Sequence, residues 1–182
     1  LSEWIENKEF LNRVKGIEYC VDYFYLVDSF GSVYPSQLTK AIKYLKSITS
    51  IKLGFHGHNN LELALANSLA AIESGISIID STIMGMGRGA GNLKTELILP
   101  VIFKSIKVDF SKLAFTLEDF NELNKQYGWG TSFPYILAGV HSIPQKQIMN
   151  WIVKGFYSFN SIINGLNNKI SNKEKNFFPK LE

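Results

Sequence analysis

His56 and His58 stand two positions apart in Gly54-Phe-His-Gly-His-Asn-Asn60, at the end of a short apolar run. If that run is a strand, alternation sends both imidazoles to one face, with roots about 6–7 Å apart. Rings so placed can converge on one divalent cation. Because the run ends there, the pair belongs at a strand's C-terminal edge, where parallel α/β folds build their sites. The plainer reading, two polar loop residues held by hydrogen bonds, stays open beside it. Two imidazoles do not complete a metal site, and a third ligand, best a carboxylate, has to come from elsewhere.

Asp28, followed by Ser29, and Asp80, followed by Ser81 and Thr82, end or nearly end the neighbouring apolar runs. In a parallel sheet they would ring the same end as the histidines, as ligands, partners of ligands or substrate contacts. Each could equally cap a turn or the helix beyond it. Glycines at 85, 87, 89 and 91 free the backbone for close approach to a ligand, without the spacing of a dinucleotide fingerprint. Arg88 among them could grip a substrate carboxylate as a bidentate fork. Asn92 either caps the next helix, its more ordinary role, or offers its carbonyl oxygen as a ligand. His141 lies in an apolar helical stretch and reads as structural. There is no Ser/His/Asp or Cys/His pattern, no Walker loop, and no interleaving of basic and aromatic residues for nucleic acid.

These residues need elements to place them. Ser2 to Glu18 has the spacing of an amphipathic helix, with Trp4, Ile5, Phe10, Leu11, Val14 and Ile17 on its stripe. Val21 to Asp28 is a nearly continuous β-branched and aromatic run, as in a strand buried on both faces. Pro35-Ser36 opens a helix through Leu38, Ile42 and Leu45. Ile51 to Phe55 reads as the second strand and His56 to Asn60 as its outgoing loop. Asn60 is placed to cap the following helix (Leu61, Leu65, Leu69, Ile72) and Gly75 to stop it. Ile76 to Asp80 is the third strand, and a helix from Leu93 should end or kink at Pro100. Strand, polar loop and helix three times over is a parallel βα-repeat, compatible with a doubly wound sheet or with part of a (β/α)8 barrel. Beyond Ser111 the pattern turns helical: Thr116-Leu-Glu-Asp119 resembles a capping box opening a helix to Tyr127. Helical patterns over Pro134–Val140 and Gln145–Lys154 follow, and the Asn- and Lys-rich tail from Asn167 is expected to fray. The division predicted is an α/β part over 1–110 and a helical appendage over 111–182.

The 182 residues, 46% hydrophobic and 19% charged, suit one globular domain with a sizeable core. A net charge of +3, scattered over many lysines, points to neither nucleic acid nor a membrane surface. One cysteine, Cys20, excludes an internal disulfide and reads as a small buried hydrophobe, consistent with a reducing cytoplasm. No apolar run approaches the ~20 residues that span a bilayer, and the N-terminus lacks the pattern of a signal peptide.

Three ordered motifs, Val27-Asp-Ser-Phe-Gly31 with Pro35, Gly54 to Asn60 with Ala66-Asn-Ser68, and Ile79-Asp-Ser81 with Gly85 to Asn92, carry a family resemblance. Together they resemble the HMG-CoA lyase-like (DRE-TIM) metal-dependent aldolases, most of all the 4-hydroxy-2-oxovalerate aldolase branch. The resemblance implies a (β/α)8 TIM barrel with Mn²⁺ or Mg²⁺ at the C-terminal face of its strands. It maps His56 and His58 onto the paired metal ligands and Asn92 onto the Asn of the glycine-rich motif, a ligand or near-ligand, which favours that role over the cap. Asp28 and Ser29 fall near the substrate at what would be the sixth strand. Asn60 counts with them as a substrate contact, and Arg88 as the catalytic candidate.

The family's remaining ligand, an Asp in an Asp-Arg or Arg-Asp-Gly motif on the first strand, has no counterpart before Val21. Aligned this way, the chain supplies the last three of eight strands, whereas a full barrel needs ~250 residues. The expectation is the C-terminal part of a longer protein, with a natural remnant as the alternative. For the intact protein the resemblance implies cleavage of a 4-hydroxy-2-oxo acid to pyruvate and an aldehyde, with the base outside these residues. The rival readings are condensation of acetyl-CoA with a 2-oxo acid, as in isopropylmalate synthase-like relatives, and a non-catalytic fragment or scaffold. A homo-oligomer, or an aldehyde dehydrogenase bound through the C-terminal helices, is the partner the resemblance suggests.

Overall fold

The computed structural model describes residues 5, 7–104, 109–155 and 157–177. The first helix, α1 (Lys8–Lys15), is shorter than the stripe suggests: Asn7 Oδ1 accepts the Phe10 amide at its start, and Gly16 follows its end. Leu11 and Val14 are buried, whereas Phe10 and Ile17 are exposed. Trp4 lies outside the described residues. Cys20, expected inside, is exposed, because it sits in the turns after α1 that no element covers.

Strand β1 (Tyr23–Asp28) leads to α2 (Pro35–Ile48), β2 (Lys52–Gly57) to α3 (Ala64–Glu73), and β3 (Ile78–Ile79) to α4 (Thr95–Ile102). All three strands are parallel in the order β1-β2-β3, with Tyr25 opposite Gly54, Val27 opposite His56 and Phe55 opposite Ile79. The outgoing loop after β2 therefore begins at His58, and His56 belongs to the strand itself.

Packing decides between the two architectures that the repeat allows. Leu26, Leu53 and Phe55 point to one face of the sheet and join Leu11, Val14, Leu38, Ile42, Leu45 and Ala71 in a single core. The opposite face carries Tyr23 and Val27, both exposed. Helices on one face only, with sequential neighbours, is the (β/α)8 pattern; a doubly wound sheet is covered on both. Burying Leu38, Ile42 and Leu45 completely stabilises the layer by about 1.5–3 kcal/mol each.

The C-terminal part holds α5 (Ser111–Tyr127), α6 (Phe133–Val140), α7 (Gln145–Lys154) and α8 (Phe159–Phe177). The capping box expected at Thr116 does not form. Instead α5 starts a full turn earlier, where Asp109 Oδ1 accepts the Ser111 amide, and it ends at Gly128 in the left-handed region (φ +66°). The segment from Asn167 is helical to Phe177, because Ile162 and Leu166 anchor α8 in a second core with Tyr135, Ala138, Ile143 and Ile148. Ala90, from the glycine-rich loop, belongs to that same core. Helices α6, α7 and α8 therefore lie against the glycine-rich loop of the sheet. His141 closes α6 at its C-cap. Among the described residues, no helix is long and apolar enough to cross a membrane.

Candidate metal centre

Alternation along β2 puts Gly54 and His56 on the face away from the core, and the ring of His58, just past the strand, lies beside that of His56. The two ring centroids are 5.2 Å apart, with planes inclined by 71°. His56 Nδ1 lies 3.1 Å from Asp80 Oδ2, just beyond β3. His58 is 8% exposed. Burial, then the His56 and Arg88 charges, push its pKa down to about 4, so its imidazole is neutral at neutral pH and keeps a lone pair.

The glycine-rich loop brings the third donor. Asn59 N donates to Gly91 O (2.9 Å) and Leu93 N to Gly57 O (3.1 Å), so residues 91–93 run antiparallel beside 57–59 and set Asn92 opposite His58. Gly91 (φ +79°) permits this approach, since a side chain there would collide with the Gly85 carbonyl. Asn92 is not a helix cap: α4 begins at Thr95. Its Nδ2 donates to Met86 O (3.1 Å), which turns Oδ1 the other way.

Two atoms in this cluster, His58 Nδ1 and Asn92 Oδ1, are buried without a hydrogen-bond partner. Leaving such groups unmatched costs about 1–3 kcal/mol each, and an ion shared by His58 and Asn92 would meet both. Two imidazole nitrogens and an amide oxygen fit a divalent cation. The expected carboxylate is not among them: the described residues hold no group of three or more His, Cys, Asp and Glu that could bind a metal.

The other sequence candidates divide. Asp28, placed with the histidines by its strand end, is instead on the opposite face: it pairs with Gly57, one position out of phase with His56. It is fully buried, and its two oxygens accept the Ser32 and Val33 amides at 3.2 and 3.1 Å. Burial raises its pKa, and those amide bonds oppose the rise. Asn60 neither caps α3 nor faces the histidines. Asn59 Oδ1 accepts the first amide of α3, at Ala64, while Asn60 is buried between Tyr135 O and Gln145 (2.8 Å each). Ser29 is half-buried in the turn after β1. Arg88 is exposed on the glycine-rich loop, near enough for its charge to act on His58.

The 128–132 loop walls this end of the sheet. Trp129 Nε1 donates to Met84 O (3.0 Å), Gly130 N to Gly89 O (3.0 Å) and Thr131 Oγ1 to Asn59 O (2.9 Å). Nothing local in residues 128–132 marks these contacts, because each bond is formed with a group some 40 to 70 positions away. Gly54 does carry a local signal: a glycine inside a strand marks a close approach by another group.

An HMGL-like family model matches residues 5–118. A 4-hydroxy-2-oxovalerate aldolase from Pelotomaculum thermopropionicum is 38% identical over 117 residues, 62% of this chain and 34% of that one. Another, from Brevibacillus brevis, is 40% identical over 141 residues, 76% of this chain and 37% of its own. The chain thus spans about a third of the length of these curated relatives. The crystal structure of the N-terminal domain of a Bacteroides vulgatus protein assigned as an aldolase superposes with a TM-score of 0.78 at 46% identity, covering 91% of this chain and 55% of that one. The carboxyl transferase domain of Rhizobium etli pyruvate carboxylase, at 20% identity and a TM-score of 0.65, shares the fold alone over 79% of this chain and 25% of its own.

Proposed function

The chain belongs to the HMGL-like family, and from that premise we propose that it forms the metal-binding end of a class II aldolase cleaving a 4-hydroxy-2-oxo acid to pyruvate and an aldehyde. The observation that carries the reading is the pair of unpartnered buried atoms, His58 Nδ1 and Asn92 Oδ1, beside the His56 ring. The substrate class comes from the relatives, named as 4-hydroxy-2-oxovalerate aldolases.

In this reaction the C3–C4 bond breaks, the 4-hydroxyl proton passes to a base, and C4 becomes the aldehyde carbonyl. The electron pair goes to the enolate of pyruvate, which then takes a proton at C3. A divalent cation, when bound, supplies Lewis-acid stabilisation of that enolate. His56, His58 and Asn92 would hold it, and the two imidazoles favour Mn²⁺ over the harder Mg²⁺. Neither histidine is then free to serve as the base. Arg88 takes the substrate carboxylate in a bidentate fork, and Ser29 lines the same end of the sheet. Asp28 and Asn60 hold the loops that carry these groups. Helices α6, α7 and α8 pack against Ala90 of the glycine-rich loop, and the single cysteine is in keeping with a cytoplasmic setting.

Calorimetric titration of the chain with Mn²⁺ tests the site. The expected result is a dissociation constant in the micromolar range, abolished in the His56→Ala/His58→Ala double variant. A folded chain that binds no Mn²⁺, or a double variant that binds it unchanged, overturns the metal centre. Pyruvate release from 4-hydroxy-2-oxovalerate, with and without Mn²⁺, tests the reaction.

A further inference from the structure

One line of contacts on the site face crosses all three strands. Asp80, past β3, reaches His56 on β2 through Oδ2 and Nδ1 at 3.1 Å. Tyr25, on β1, is in register with Gly54, and a Cβ built on Gly54 would stand 2.6 Å from Tyr25 Cε1. The tyrosine ring therefore lies across β2 over the bare glycine, a path that any side chain at 54 would block. Its phenol lies close enough to the Asp80 carboxylate for that charge to act on it. Partial desolvation, and then the Asp80 charge, raise the phenol's pKa, which keeps it a protonated donor.

An ionised carboxylate can only accept, so the His56 nitrogen facing Asp80 is the one that carries the proton. The lone pair is then left on Nε2. The side chains of His56 and Asp80 are 26% and 42% exposed, so the pair adds little to stability; orientation is what it provides. A carboxylate behind an imidazole also makes the ring a better ligand.

We propose that Asp80 and Tyr25 are positioning residues: Tyr25, passing over Gly54, holds Asp80, and Asp80 holds His56 with its proton on Nδ1 and Nε2 presented to the cation. The inference rests on the metal-binding reading of the site.

The test reads the tautomer without metal and then the affinity. Long-range ¹H–¹⁵N correlation spectra of the labelled chain are recorded at pH about 8, above the ordinary imidazole pKa of about 6.5. His56→Gln assigns the signal. The wild type should show His56 protonated on Nδ1. Asp80→Asn should shift the proton wholly or partly to Nε2, and Tyr25→Phe should do so less. Both variants should melt like the wild type, and Mn²⁺ affinity should fall about 10–100-fold in Asp80→Asn. A wild-type His56 protonated on Nε2, or a tautomer indifferent to Asp80→Asn, overturns the proposal. So does lost affinity with the tautomer unchanged, which would make Asp80 itself a ligand. An Asp80-dependent Nδ1 proton in a chain that binds no Mn²⁺ upholds the positioning of the ring and sinks the metal reading instead.

Discussion

Gln145 Nε2 donates to Asn60 Oδ1 at 2.8 Å, and Asn60 Nδ2 donates in turn to the Tyr135 carbonyl at 2.8 Å. One buried amide thus joins the loop after β2 to α6 and α7, which follow it by 75 and 85 positions. Gly31 and Gly139 press against the same side chain, and a Cβ on either would stand within 3 Å of it. The helical part is therefore tied to the very loop that carries His58.

Asn60→Ala removes both hydrogen bonds and strands two buried partners. The expected loss is about 2–4 kcal/mol, read from the midpoint of urea denaturation. A change below about 0.5 kcal/mol would mean that the sheet and the helices stand independently.

Asp28→Ala separates scaffold from site. Without the carboxylate, the Ser32 and Val33 amides lose their acceptors, so stability should fall by about 2–4 kcal/mol. Mn²⁺ affinity should stay within a factor of about two, because Asp28 lies on the other face from His56. A large loss of affinity in a folded variant would return Asp28 to the site.

Two glycine substitutions should behave oppositely. A Cβ on Gly87 would meet the Asn92 amide nitrogen, so Gly87→Ala should dislodge Asn92 from Met86 O and weaken Mn²⁺ binding at least tenfold, a loss of about 1.4 kcal/mol. Gly128→Ala meets nothing within 4 Å and only strains φ at +66°, so it should cost about 1–2 kcal/mol of stability and leave calorimetric binding untouched.

Acid should destabilise the metal-free chain through His58. Its folded pKa, about 4, lies below the ordinary value of 6.5. Between those values the unfolded chain binds a proton that the folded chain refuses, so stability falls as pH drops from 6.5 toward 4. The slope is at most about 1.4 kcal/mol per pH unit. Burial acts on Asp28 with the opposite sign, because its raised pKa favours the folded state as pH falls. The His58 contribution is therefore read as the difference between wild type and His58→Phe in urea melts across that window. A difference that does not vary with pH would show that His58 titrates normally.

The strand runs, the stripe of α2 and the histidine pair were legible in the sequence, because each depends on local periodicity. Leu38, Ile42 and Leu45 are all 0% exposed, as their spacing requires. Asp28 was misplaced for a physical reason. Which face a strand residue takes relative to a neighbouring strand depends on register, and register is set by packing between segments. Asn60 and Asn92 both leave the capping role for the same kind of reason. Both sit where an Asn ordinarily caps a helix, yet Asn60 is held by helices far along the chain, and Asn92 is turned by Met86 O, beyond any local pattern. The sequence by itself determined the βα-repeat and the two imidazoles on β2 and just past it, through the period-two alternation of a strand. Only the tertiary structure decided that Asn92 stands beside His58 and that Asp80 and Tyr25 stand behind His56, because those neighbours come from separate strands and loops whose register no single segment contains.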